Sequence, residues 1–166
     1  MAKLIVGIMG PSAASIDERR VAFELGELAA KEGWVVLSGG RRQGVMHAAL
    51  DGARSAGGLT VGVLPSADRD DMSPEVDVSI VTGLGDARNQ INVLTSRVIF
   101  VCGMSLGTAS EVALALKALR PVILVQPAEH SWRFWHAMDA RRVHKASTAL
   151  EAVTAARPLL AATARY

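Results

Sequence analysis

Between residues 101 and 112 the chain reads VCGMSLGTASEV, an apolar run that opens into Gly103, Ser105, Leu106, Gly107 and Thr108 and is followed by an acid at Glu111. A small-residue loop of this kind leaves backbone N–H groups open where a helix starts, a setting that suits a phosphate or another anion. The same letters also fit ordinary helix capping. Thr108 and Glu111 have the spacing of a capping box, in which the acid reaches back to a backbone N–H and needs no ligand to explain it. The chemical alternative for Glu111 is a carboxylate beside a sugar or phosphate, able to stabilise a cationic, oxocarbenium-like transition state. Spacing allows both roles.

Three other segments carry comparable signals. In SGGRRQG, Ser38, Gly39, Gly40, Arg41 and Arg42 precede a helix expected to begin near Gly44. Glycines let backbone come close to a ligand, and arginine can hold phosphate oxygens through two parallel hydrogen bonds; a glycine turn with two solvated arginines is the plainer alternative. In GIMGPSAAS, Gly10, Ser12 and Ser15 follow the first apolar run. In GLGDARNQINV, helical periodicity puts Arg88, Asn92 and Thr95 on one face, with Arg88 in the first turn. A cation there opposes the helix dipole, so an anionic ligand would account for its placement.

Other reactive side chains read as structural. Cys102 ends an apolar strand with no basic residue close in sequence, which describes a buried, inert thiol. The four histidines lack metal-ligand spacing, and no metal is expected. Trp132, Phe134 and Trp135 around Arg133 fit core packing, with an oligomer contact as the alternative.

The elements that must position these residues follow from the apolar pattern. Residues 4–10, 34–40, 59–65, 76–83, 97–103 and 120–126 are short β-rich runs separated by stretches of helical period. Continuous apolar strands alternating with helices indicate a mostly parallel, doubly wound α/β sheet of the Rossmann-like kind, covered by helices on both faces. In such a sheet ligands collect outside the carboxyl ends of the strands, which is where the four segments fall. Capping-box spacing also marks Ser15 with Glu18 and Thr148 with Glu151. In the second helix Met46, Ala49, Leu50 and Ala53 form an apolar stripe, which leaves His47, Asp51 and Arg54 to solvent. Residues 65–77 form the longest loop, a surface connection or a lid, and the tail from Pro158 is expected to fray or dock.

Composition sets the outer limits. A chain of 166 residues, half hydrophobic and one-fifth charged, suits one globular domain spanning residues 1–166 that needs no disulfide or metal. The formal net charge of +2 gives no dense basic footprint for nucleic acid. The first apolar run is broken by Gly7 and Gly10, too short for a signal peptide or membrane span. With a single cysteine, the expected compartment is reducing and cytoplasmic.

Taken together, GIMGPSAAS, SGGRRQGVMHAALDGARSAGG, GVLP and GTASEVALALKALRPVIL resemble the LOG superfamily over nearly the whole chain. That family takes its name from cytokinin-activating enzymes once described as lysine decarboxylases. Its catalytic members use an arginine and a glutamate to cleave the N-glycosidic bond of nucleoside 5′-monophosphates, roles that the resemblance carries to Arg88 and Glu111. Those members read PGGxGTxxE, where this chain has Gly103, Met104 and Ser105 at the PGG positions, and they have lysine where Asn89 stands. Within the superfamily, RNQINVLTS with CGMSLGTASEVALALKA is most similar to the molybdenum cofactor carrier branch.

The resemblance implies a non-catalytic carrier with molybdenum cofactor as cargo and a homodimeric or homotetrameric assembly. The implied ligand-binding set runs from Gly10 and Ser12, through Ser38, Gly39, Gly40, Arg41, Arg42 and Gly44, to Arg88 and Asn89. It ends with Gly103, Ser105, Leu106, Gly107, Thr108 and Glu111. The alternatives are a nucleoside-monophosphate phosphoribohydrolase and a non-catalytic nucleotide-sensing module. All three need a phosphorylated small-molecule ligand.

Overall fold

The computed structural model describes residues 3–163. All six expected strands form, as β1 Ile5–Met9, β2 Val35–Ser38, β3 Thr60–Leu64, β4 Val78–Val81, β5 Ile99–Cys102 and β6 Val122–Val125. They are joined by α1 Ile16–Lys31, α2 Gly44–Ser55, α3 Asn89–Thr95, α4 Leu106–Lys117, α5 Glu129–Met138 and α6 Ala149–Thr163. A further strand, β7 Val143–Ala146, escapes the apolar pattern because its sequence VHKA buries only its two ends. It pairs with β6 at the edge of the sheet, where one-sided burial suffices.

The strand order is β4-β3-β2-β1-β5-β6-β7, and every pairing is parallel. Parallel neighbours require crossovers, and here helices cover both faces. Alternation along the strands divides the core. Val6, Ile8, Val36 and Phe100 point to one layer with α1, α2 and α6, whereas Met9, Leu37, Ile99 and Val101 point to the other with α3 and α4. The first layer is tight: a Cβ on Gly26 of α1 would lie 2.0 Å from the Ala49 carbonyl oxygen of α2. Pro158 lies inside α6, and Leu160 beyond it is buried, so the tail docks as far as it is described; residues 164–166 lie outside the described residues.

Two connections shape the end of the sheet where ligands collect. After β1 the chain turns one way to β2, while β5 on the other side of β1 leads away to β6, so the sheet has a topological switch point between β1 and β5. The loop 65–77 folds back on α2 and the end of β2. Its Ser73 N–H donates to the Gly40 carbonyl, Arg41 and Met72 form an antiparallel bridge, and Ser73 Oγ lies 2.8 Å from His47 Nδ1. The expected solvation of α2's outer face is therefore corrected for His47, which is half-buried and meets Ser73, whereas Arg54 is exposed as expected and pairs there with Asp77.

Candidate functional site

Capping fixes the start of α4, and it differs from the expected register. Ser105 is the N-cap: its Oγ accepts from the Thr108 N–H at 3.2 Å and lies 3.0 Å from Thr108 Oγ1. The helix thus begins at Leu106, and Glu111 sits in its second turn, out of reach of the cap. The capping role expected for Glu111 is overturned. Elsewhere the Ser15 box forms, with Ser15 and Glu18 exchanging both bonds, whereas at α6 Glu151 donates its N–H to Thr148 Oγ1 but its carboxylate reaches the Ser147 N–H, one residue before Thr148.

Released from capping, Glu111 faces the crossover that leads from β4 to β5. That crossover passes a 3-10 turn, Gly85–Arg88, tied to the end of β3 by a Gly85 N–H to Pro65 carbonyl bond. Arg88 ends the turn and caps α3; it is not in the first turn of an α-helix as expected, and it is 9% exposed. Its Nη1 donates to Asn89 Oδ1 at 3.1 Å and lies 3.7 Å from Glu111 Oε1, which also accepts from Asn92 Nδ2 at 2.8 Å. Asn89 in turn donates to Ser110 Oγ. The buried Arg88 Nε and Asn92 Oδ1 have no hydrogen-bond partner among the described residues.

The electrostatics of this pair are dominated by loss of water. Burial pushes the Glu111 carboxyl above its ordinary range, against the opposing pull of Asn92 and Arg88. Burial also lowers the Arg88 guanidinium, and the like charge of Arg41 adds to that, with Glu111 opposing. Two neighbouring cations, one of them desolvated, are a place where an anion relieves the free protein of a cost.

These groups line a cavity of about 220 Å³ at the switch point. β1 contributes Met9 and then Gly10 and Ser12; the end of β2 contributes Gly39 and Arg41; the 3-10 turn and α3 bring Asp86, Arg88 and Asn89. Ser105, Gly107, Thr108 and Glu111 come from the start of α4, and Met46 from α2 closes the wall. Glycine is required at two of these places. A Cβ on Gly39 would lie 2.7 Å from an Arg88 Nη, and one on Gly10 would lie 2.3 Å from the Cys102 carbonyl oxygen. Arg41 Nε donates to Asp71 Oδ2 at 2.5 Å, so the 65–77 loop fixes the direction of that guanidinium.

Six of the residues named from sequence stand elsewhere. Ser38 is buried under the turn, where its Oγ donates to the Met46 carbonyl and accepts from the Gly40 N–H. Gly40, at φ +74°, packs on Gly62, and Gly44 approaches the Pro11 carbonyl too closely for a side chain. Arg42 turns away to the Met72 carbonyl. Gly103 borders a different cavity, and Leu106 is 93% exposed. Sequence reasoning also missed Met9, Met46 and Asp86 as wall residues. Asp86 carried a signal, being two positions before Arg88, but Met46 was indistinguishable from a core residue of its stripe. Among the described residues no helix is long and apolar enough to cross a membrane, and no cluster of histidine, cysteine or acidic side chains could hold a metal ion.

An all-parallel doubly wound sheet with a small arginine-bearing cavity at its switch point defines a Rossmann-like ligand-binding protein. The chain belongs to the SLOG cluster4 family, which it matches over residues 3–155. Its structure is similar to the molybdenum cofactor binding protein from the phototrophic bacterium Rippkaea orientalis, with 46% identity, a TM-score of 0.94, and coverage of 96% of this chain and 99% of the other. It is likewise similar to the Moco carrier protein from Chlamydomonas reinhardtii, with 47% identity, a TM-score of 0.91, and coverage of 97% and 99%. An uncharacterized protein of Archaeoglobus fulgidus is 38% identical over 122 residues, covering 74% of this chain and 80% of that one.

Proposed function

We propose that this protein is a molybdenum cofactor carrier, binding its phosphorylated pterin cargo without transforming it. The observation that carries the reading is the buried Arg88, which lines the cavity together with Arg41 and whose charge is disfavoured by burial and by that neighbouring cation. An anion in this cavity, meeting the two arginines and the open N–H groups at the start of α4, offsets both positive charges at once. The near full-length similarity to two proteins named for this cofactor supports the cargo's identity. The site comprises Gly10, Ser12, Gly39, Arg41, Arg88, Asn89, Ser105, Gly107, Thr108 and Glu111. A cytoplasmic location accords with a single, buried cysteine.

Gentle purification followed by oxidation of any released pterin to its fluorescent form, with mass spectrometry of the product, is the direct test. A phosphorylated pterin in the wild type and its loss in Arg88→Ala is the expected result. A nucleotide in its place would overturn the carrier reading. In the same preparations a homodimer or homotetramer is expected by light scattering, and a strictly monomeric mass would refute that assembly.

One observation favours a second reading, a nucleoside 5′-monophosphate phosphoribohydrolase. Glu111 is free of capping and its carboxylate borders the cavity beside Arg88, the placement a transition-state carboxylate requires. Chromatography for ribose 5-phosphate decides between them. The carrier releases none from any common nucleoside monophosphate, whereas clear turnover by the wild type, abolished in Glu111→Gln, would establish the hydrolase.

A further inference from the structure

The arginine cavity is too small for the whole of such a ligand. At about 220 Å³ it lies below the roughly 300–1,000 Å³ that small-molecule sites occupy, and suits a phosphate group with little attached. A second cavity of about 680 Å³ lies at the carboxyl ends of β5 and β6, between α4 and α5. The two share one wall: Gly103, Met104 and Ala109 face the larger, and Ser105, Gly107 and Thr108 the smaller.

Their chemistry is opposite. Among the described residues no lysine or arginine lines the larger cavity. Its surface is mainly apolar, with Met104, Pro127, Phe134 and Trp135, the last two meeting edge to face at 4.9 Å between ring centroids. The carboxylate that the described residues place there is Glu18. Its Oε2 accepts from the Ser15 N–H at 2.7 Å, while Oε1 accepts no hydrogen bond from any described residue. Gly103, at φ +78°, makes room for that oxygen, because a Cβ there would lie 2.1 Å from it. A cavity with this carboxylate and, among the described residues, no lysine or arginine and His130 as its one imidazole disfavours phosphate and accepts a flat ring with adjacent N–H donors.

We propose that this second cavity seats the heterocycle of the ligand, a 2-amino-4-oxopyrimidine-fused ring whose amino and ring N–H groups donate to Glu18 while its face lies against Trp135. The inference rests on the phosphorylated-heterocycle reading above and divides that ligand between two cavities, ring on one side of residues 103–109 and phosphate on the other. A carboxylate accepts two parallel N–H bonds from such an edge, and charge assistance makes them strong. Pterin and guanine both carry this edge; adenine does not.

The test titrates the intact protein with unphosphorylated pterin, guanosine, adenosine and inorganic phosphate, separately, by calorimetry. Pterin should bind at least about tenfold more tightly than adenosine, and a preference for guanosine over pterin would assign the same edge to a nucleoside ligand. Glu18→Gln keeps the capping box, since glutamine serves at that position, and should weaken pterin by about tenfold or more while leaving phosphate unchanged. Trp135→Leu, on the half-buried face of α5, should weaken pterin several-fold. Arg88→Ala should do the reverse, removing phosphate binding and sparing pterin. Absence of binding by both 2-amino-4-oxo rings, or unchanged pterin affinity in both Glu18→Gln and Trp135→Leu, would overturn the proposal. Pterin binding through Glu18 with no phosphate binding at all would refute the arginine site and leave this one standing.

Discussion

Replacing Glu111 with glutamine probes the buried pair at its centre. The Arg88 Nη1 to Glu111 Oε1 separation is 3.7 Å, which at an effective dielectric of about 20 corresponds to a gross attraction of roughly 4–5 kcal/mol. Desolvation nevertheless outweighs it on both partners, since burial is the largest influence raising Glu111 and lowering Arg88. A carboxyl whose folded pKa lies above its unfolded value contributes stability that is full below about 4.5 and is lost as pH rises through the raised value. Glutamine copies the neutral form and can keep the bond from Asn92. The variant should therefore match the wild type in acid and exceed it toward neutral pH, by about 1.4 kcal/mol for each unit that burial raises the carboxyl.

Phosphate binding magnifies the effect. A unit negative charge about 6 Å from an ionised Glu111 is repelled by roughly 3 kcal/mol at the same dielectric, and part of that is screened by solvent at the cavity mouth. Glu111→Gln should tighten inorganic phosphate by about tenfold at a pH high enough to ionise the wild-type carboxyl, a gain of about 1.4 kcal/mol. The advantage should shrink as pH falls toward the ordinary glutamate range, because the wild-type carboxyl is then neutral as well. Calorimetric titration of both proteins across this range, paired with thermal melts, reads both effects, and phosphate's own ionisation cancels in the comparison. Weaker or unchanged phosphate binding in the variant across the whole range would refute the reasoning, as would a variant less stable than wild type at its alkaline end.

Two further outcomes are expected. Gly26→Ala should destabilise the fold by roughly 1–3 kcal/mol or more, because the new methyl would press on the Ala49 carbonyl where α1 crosses α2; a lower urea midpoint with an unchanged slope would show it. Cys102, buried and with its thiol pushed far up by desolvation, should resist a thiol reagent in native protein and react as soon as urea unfolds the chain, and rapid native labelling would contradict its burial.

The sequence by itself determined the sheet and the place where chemistry collects. Uninterrupted apolar runs such as IFVC and VILV are fully buried here, as a covered parallel sheet requires, and the glycine and serine residues following the first three strands and β5 mark the carboxyl ends of the strands. It did not determine β7, whose VHKA run draws its order from pairing with β6 at one edge. Nor did it set the start of α4. Ser105 and Thr108 are both competent caps, so local chemistry was degenerate, and tertiary structure broke the tie by drawing Glu111 to Asn92 and Arg88 on the crossover from β4. The choice between Arg41 and Arg42 was of the same kind. Adjacent residues in an extended segment point to opposite sides, and only the antiparallel bridge to Met72 decides which guanidinium faces the cavity and which turns to the loop.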